Sequence, residues 1–586
     1  MTPVLALRGR LIAAAGALFV AAGALHPGAW PLIALGTIIV SSLMTAYLFF
    51  YPTAIFLRRR KVELAWWVPP GDQPGGALTV DLPFSLYIAL RNRGQRVLRV
   101  ADMKILAGSA LTVADELKAR VPAGHEVEVT ATVRAQACGM WILHGALLTF
   151  ADSLGLFEVR AYFPSPISLK VFPKLATPRA EMVIRPQVGA MHERVGVHTI
   201  RRRGLAGELR EIRDHAHGDP FKRIAWKATA RRRRLMVREL ENEIVVTHQL
   251  LFDMAGTMRA GAIGRTPLDW GIELISAWAR AALEGGDRVG LVTFDGRVVG
   301  HVKPGEGRPH FLRILDRLLD TKNVVDADLT EMTDGELVAA TARYLVHQEG
   351  VDFRLMRAPS ANDPAWAHIS AGPSGELYDL QAMRELVWKL TQAQETRRRR
   401  GGPRDVTADR KAPTGGHWAR LGVEEARAAD LARLRAFCRL RGIELPYRSE
   451  HVPGRRAAGV AEALRRALAS ERSQLIVVVS DLHDLLDEVG LQAFRLARQR
   501  NHHVVVVAPF GPAFRPMAAS LAGKRVLDVL AEEERLRLVA AGSELRRRGV
   551  SLLLAGPGDT PEAVMRKLTQ RRPFGQILTR SQGQAI

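Results

Sequence analysis

The sequence predicts an α/β protein: a parallel sheet with helices on both faces, preceded by a transmembrane hairpin and a β-sandwich-like domain. Three observations predict it. Residues 11–51 contain no Asp, Glu, Lys or Arg. Between 62 and 174, short runs alternate apolar and polar residues and are separated by Gly and Pro, the pattern of half-buried strands. From 244 onward, apolar runs such as IVVTHQLLFD, QLIVVVSDLHD, HHVVVVAPF and VSLLLAGPG alternate with amphipathic stretches, as strands covered on both faces do.

A chain of 586 residues exceeds one ordinary domain. The expected divisions are a hairpin with basic flanks (1–61), a β-sandwich-like unit (62–175), an Arg-rich connector (176–243), the first part of the α/β unit (244–322), a helical insertion (323–473), its second part (474–572) and a polar tail (573–586). The formal net charge is +23, with Arg runs at 201–203, 231–234, 397–400 and 546–548. Such charge attracts polyanions, anionic lipid or acidic protein faces. No interleaving of aromatic and basic residues suggests base stacking, so nucleic acid is not the expected partner. Cys138 and Cys438 stand far apart; they suit neither a disulfide framework nor zinc, and buried thiols are expected.

HPGAWP (His26–Pro31) divides the uncharged stretch into Leu11–Leu25 and Trp30–Tyr51. The second is long enough to cross a bilayer. Arg8 and Arg10 precede the pair and Arg58–Arg60 and Lys61 follow it, which places both flanks in the cytoplasm, against anionic lipid. A cleaved signal peptide is the rival reading of the first segment. In the next unit, HEVEVTATVRA (His125–Ala135) alternates strictly, and Asp152 is expected to form a turn.

The connector reads GVHTIRRRGLAGELREIRDHAHGDPFKRIAWKATARRRRLMVRELENE (Gly196–Glu243). Trp226, between apolar neighbours, is expected to anchor a core; Asp214, Asp219 and Glu239 are expected to pair with arginines. The segment resembles the bacterial domain-of-unknown-function family numbered fifty-eight. That family's hallmark has the form G-x-x-R-x-Y-x-x-G-D-x-x-R-x-I-x-W-K-x-x-A-R, followed by L-x-V-R-E-x-E. The matching residues are Arg210, Gly218, Asp219, Arg223, Ile224, Trp226, Lys227, Ala230, Arg231, Leu235, Val237, Arg238 and Glu239; Ile212 stands where Tyr is usual and Ala225 where an acidic or amide residue is usual. The resemblance implies a bacterial inner-membrane protein, a von Willebrand factor A-like domain after the motif, and a MoxR-type AAA+ ATPase as partner. Asp219, Arg223, Trp226, Lys227 and Arg231 are the residues expected to meet a partner.

Ligands of open α/β sheets lie at the carboxyl ends of strands, and both Asp253 and Asp481 fall there. The resemblance implies a Mg²⁺ site made from a D-x-S-x-S loop, a Thr in the next loop and an Asp after a later strand. Here those positions are Asp253, Ala255 and Thr257, then Thr266 (with Asp269 close by), then Asp481. Ala255 removes one oxygen ligand, and retained water could fill the gap. No G-x-x-x-x-G-K-[ST] or G-x-S-x-G occurs, and His502–His503 lack clustered partners. The expectation is therefore a non-enzymatic, membrane-anchored scaffold or adaptor. A metal-dependent phosphohydrolase and a basic nucleic-acid binder are the alternatives.

Overall fold

A computed structural model describes residues 3–26, 28–58, 62–69, 77–114, 117–174, 193–203, 209–216, 219, 221–351, 368–370, 377–379, 383, 385–391, 423–448, 454–469, 474–516, 518 and 520–569. The loop expected at 401–417, the tail at 573–586 and the arginines at 59–60 and 397–400 lie outside the described residues. The chain divides into two compact units, each discontinuous in sequence: 1–171 with 323–447, and 172–322 with 448–586.

In the first unit, helices Leu7–Leu25 and Trp30–Arg58 are both long and apolar enough to cross a membrane. The membrane-length stretches of 19 and 26 residues would reach about 28 and 39 Å at 1.5 Å per residue, against a hydrocarbon core of about 30 Å. Gly9, Gly16 and Gly23 are buried at seven-residue intervals. A Cβ on Gly36 would stand 2.6 Å from the Gly16 carbonyl oxygen, and one on Gly16 2.9 Å from Ile39 Cγ2, so glycine at each position lets the two helices pack closely. Before the first helix, Val4–Leu5 pairs antiparallel with Phe157–Glu158. After the second, Val62–Trp67 enters the neighbouring sheet. Both ends of the hairpin therefore meet the β-rich part.

That part consists of two antiparallel sheets. One runs Val62–Trp67, Pro83–Asn92, Glu126–Ala135, Leu111–Val113; the other runs Val4–Leu5, Phe157–Phe172, Gly139–Ala151, Leu98–Ala107, Leu117–Val121, with Leu78–Thr79 pairing Phe157–Phe172. The expected alternation places Leu86, Ile88, Leu90, Leu143, Leu148 and Phe150 in the interior. Asp152 makes its expected turn, accepting from the amides of Leu154, Leu156 and Phe157. Cys138 and Cys438 are buried free thiols.

The inserted helices join this β-rich unit. Asp334–Gln348 and Val423–Leu440 share a core containing Leu337, Leu345, Met383, Leu434 and Phe437. The Tyr162 hydroxyl donates to the Gln348 carbonyl at 2.7 Å, and His144 meets the Tyr344 hydroxyl at 3.0 Å. The second segment of this unit runs from Asn323 to Tyr447. Helix Arg455–Ala467 instead packs Val460, Ala461 and Leu464 into the α/β core.

In the second unit, the connector forms a three-stranded antiparallel sheet, Glu193–Arg203, Met236–Ile244, Leu209–Asp214. The main sheet has the order Val298–Gly305, Arg288–Phe294, Thr247–Asp253, Leu475–Val479, His503–Pro509, Ser551–Ala555. Its strands are parallel except the first, which turns back at Asp295–Arg297 and pairs antiparallel. The short turn there leaves no chain for a crossover, so a hairpin forms. Helix Pro267–Glu284 starts with Thr266 as its cap. At its far end Asp287 accepts from the Val246 amide and meets His248 at 3.1 Å, fixing the start of the Thr247–Asp253 strand.

Candidate functional site

The expected strand-end residues come together only in part. Thr247–Asp253 and Leu475–Val479 are adjacent parallel strands, so Asp253 and Asp481 emerge side by side. Two like charges there need a cation, and the chain supplies one. The Arg456 Nη2 donates to Asp253 Oδ2 at 2.5 Å and to Asp481 Oδ1 at 3.0 Å. Its Nη1 donates to Thr257 Oγ1 at 3.2 Å. Asp253 is 0% exposed, Asp481 4% and Arg456 9%. The remaining acceptor capacity is used locally: Asp253 also accepts from Ser480 Oγ at 2.6 Å and from the Ala255 amide, and Asp481 from the His483 amide.

Burial raises the Asp253 carboxyl to about 6, against the pull of Arg456 and with the push of Asp481. At Asp481 burial also opposes ionisation, but Arg456, His483 and a hydrogen bond from Thr257 hold it below the usual carboxylate range. The adjoining turn is strained: Leu482 and Asp484 take φ of 61° and 54°, in the left-handed region that side chains disfavour. It is anchored from behind by Arg537, which donates to the Asp481 carbonyl at 2.7 Å and pairs with Glu534.

Thr266 and Asp269 are spent elsewhere. Thr266 Oγ1 accepts from the Asp269 amide and donates to Asp269 Oδ2, which also accepts from the Thr266 amide. The other oxygen of Asp269 takes Lys322 Nζ at 2.7 Å. The donor set expected for Mg²⁺ therefore does not fit that ion as arranged. A cation bridging Asp253 and Asp481 would have to occupy the position of Arg456 Nη2, and Mg²⁺ demands oxygen at about 2.1 Å in a near-octahedral shell.

The connector departs from expectation in the other direction. Trp226 does not anchor a core: it is 62% exposed, and Phe221 is 75% exposed. The buried residues are Ile224, Ala225, Met236 and Val237. The backbone explains this. Ala225 donates to the Met236 carbonyl, which turns Ile224 and Ala225 inward and starts the short helix Trp226–Arg232 pointing out. Lys222, Lys227 and Arg231–Arg234 are exposed. Asp219 is held within the chain by both terminal nitrogens of Arg213 at 2.8 Å and by the Ala216 amide. The hydrogen bonds from Arg213 keep its carboxyl well below the usual range. Counted back from Gly218–Asp219, the hallmark spacing falls on Arg213 and His215 and not on Arg210 and Ile212; counted back from Ile224, its second Arg falls on Lys222. The side chains of Arg210, Arg223 and Glu239 lie outside the described residues.

Sequence reasoning missed Arg456, Ser480 and Lys322. A signal existed for Arg456. It is one turn from Val460 on the stripe Ala457, Val460, Ala461, Leu464, Ala467, the buried face of its helix. It also lies in the first helical turn, where the macrodipole disfavours a cation.

Two features thus define the molecule: an α/β unit whose strand-end carboxylates share one internal guanidinium, and an exposed aromatic and basic face, on a chain bearing two helices long and apolar enough to span a membrane. Residues 211–344 match the family model described as Protein of unknown function DUF58, which supports membership of the DUF58 family. The match covers less than a quarter of the chain and includes Asp253 and Trp226 but neither Asp481 nor Arg456. No curated protein matches the chain. Among solved structures, Escherichia coli alpha-2-macroglobulin from domain MG7 to the C-terminus is 14% identical over 20% of this chain and 17% of that chain, with a TM-score of 0.16. A FixG-related protein from Vibrio parahaemolyticus is 11% identical over 18% and 96%, at 0.13. The Vibrio cholerae VesB protease is 17% identical over 21% and 36%, at 0.14. Likenesses at these scores carry no argument about fold or activity.

Proposed function

We propose that the chain is a membrane-anchored adaptor that holds a partner protein against the exposed face of its connector. The observation behind this reading is the exposure of Phe221 and Trp226 beside Lys222, Lys227 and Arg231–Arg234. Large aromatics in water add little to a fold, whereas aromatics and Arg are the side chains that dominate binding energy at interfaces. The surrounding charge selects an acidic partner surface. Of the five residues expected to meet a partner, Trp226, Lys227 and Arg231 suit the role, and Asp219 is committed to Arg213.

The family resemblance suggests a MoxR-type AAA+ ATPase as that partner, and a von Willebrand A-like reading of the α/β sheet. Adjacent strand-end aspartates and the helices around a largely parallel sheet support the second point. The basic residues flanking the hairpin favour a cytoplasmic bulk near anionic lipid. The reading is of binding without turnover, and the burial of Asp253 and Asp481 against Arg456 supports it.

Capture of a MoxR-type ATPase by the detergent-solubilised full chain tests the reading. Capture that falls to background in Trp226→Ala supports it, and capture indifferent to Trp226 overturns it. Mg²⁺-dependent phosphate release abolished by Asp253→Ala would establish the phosphohydrolase instead.

A further inference from the structure

We infer that Arg456 is the permanent cation of the strand-end site, so that the loops after Asp253 and Asp481 are assembled by a guanidinium and need no divalent metal.

Asp253 and Asp481 lie at the ends of neighbouring parallel strands, both buried. Carboxylates so placed cannot both stay ionised in a poorly solvated site without a matching cation. One nitrogen of Arg456 donates to both, and the other terminal nitrogen reaches Thr257. The guanidinium therefore ties together three of the four side chains that the resemblance assigns to a metal, Asp253, Thr257 and Asp481, while Thr266 is held by Asp269. Its planar fork suits this task, because one flat group donates in several fixed directions.

The surroundings agree. Ser480 Oγ donates to Asp253 Oδ2 while accepting from the Leu482 amide, so it is committed on both sides. Lys322 holds Asp269, the other carboxylate near the expected second loop. The acidic groups expected to serve a metal are thus held by internal cations, Asp253 and Asp481 sharing Arg456 and Asp269 taking Lys322. The placement of Arg456 also resolves a local conflict. A cation in the first turn of Arg455–Ala467 opposes the helix dipole and sits on the buried stripe; only a pair of buried anions compensates for both costs. The consequence for recognition is direct. A bound metal leaves an open position that a partner's carboxylate can fill, whereas Arg456 spends its terminal donors inside the chain. This inference stands apart from the adaptor reading, and its test uses no partner.

The test is Mn²⁺ binding to the detergent-solubilised full chain, read by electron paramagnetic resonance, with melting followed in EDTA and in Mn²⁺. The unsubstituted chain is expected to take up no Mn²⁺ that Asp253→Asn removes, and to melt at the same temperature in both buffers. Arg456→Gln is expected to lower the melting temperature by several degrees, and Asp253→Asn with Arg456→Gln to recover part of that loss. One Mn²⁺ per unsubstituted chain, lost in Asp253→Asn and raising the melting temperature, would overturn the inference. So would an Arg456→Gln chain as stable as the parent. The measurement on the unsubstituted chain decides the matter even if Arg456→Gln does not fold.

Discussion

At the carboxyl ends of the sheet strands, Asp253, Asp481 and Arg456 are buried together, and every charge has a partner within 3.0 Å. On the connector, Phe221 and Trp226 stand in solvent, and Arg231–Arg234 enter no ion pair among the described residues. The two regions belong to one compact unit, yet their charges are handled in opposite ways. In the strand-end cluster two carboxylates share one internal guanidinium, whose buried Nε makes no hydrogen bond; the connector presents cations without ion pairs among the described residues, around exposed aromatics. Charge that is already matched in a buried site stiffens a fold and offers little to a partner. Charge that is unmatched and hydrated costs the fold almost nothing and steers encounter. Recognition should therefore follow the connector, and stability should follow the cluster.

The largest expected effect falls on the closed region. Arg456→Gln strands two buried carboxylates, and removing one side of a buried ion pair costs about 3–5 kcal/mol. Amide exchange at Leu250–Phe252 in the full chain should accelerate accordingly. Equal exchange would show that the cluster contributes little. Next comes the open region. Trp226→Ala should weaken partner binding by about 2 kcal/mol or more, roughly 30-fold, while changing stability by no more than about 0.5 kcal/mol. A loss of stability comparable to that of Arg456→Gln would erase the contrast between the regions.

Lys322→Ala leaves the Asp269 carboxylate two of its three hydrogen bonds, both from Thr266. A loss of about 1–2 kcal/mol is expected, seen as faster exchange in the first turn of helix Pro267–Glu284. The smallest effect is set by pH. Burial opposes the ionisation of Glu534, but His483 and Arg537 hold it down to about 2. A carboxylate depressed in the folded state stabilises above its unfolded value and loses that contribution as protons bind. The anchor behind Asp481 should accordingly hold above about pH 4.5 and loosen progressively toward pH 2. Exchange at His483 that stays constant across that window would remove Glu534 from the account.

Much of the architecture was legible before any coordinates. Continuous apolar runs gave four parallel strands, strict alternation gave the antiparallel sheets, and an uncharged stretch gave the hairpin. These features are periodic, and periodicity reports burial directly. The strand Val298–Gly305 was missed because its partner choice depends on the length of the Asp295–Arg297 turn rather than on composition. The cluster was half legible. Asp253 and Asp481 end apolar strands, so their position follows from the strand pattern. Arg456 comes from a helix about 200 residues from Asp253 in sequence, and no local pattern joins them; only its place on an apolar stripe hinted at a buried role. Trp226 misled for the opposite reason. Apolar neighbours usually mark a core, but the Ala225–Met236 backbone hydrogen bond turns the chain just before it.

One measurement weighs the two regions directly. It is the recovery of a MoxR-type ATPase by the full chain, compared between Trp226→Ala and Thr257→Ala in one buffer. Thr257 is the strand-end side chain that reaches solvent, and its loss removes only the 3.2 Å contact to Arg456 and a bond to Asp481. Recovery lost in Trp226→Ala and kept in Thr257→Ala is the predicted result. Recovery kept in Trp226→Ala and lost in Thr257→Ala would contradict it and return recognition to the strand ends.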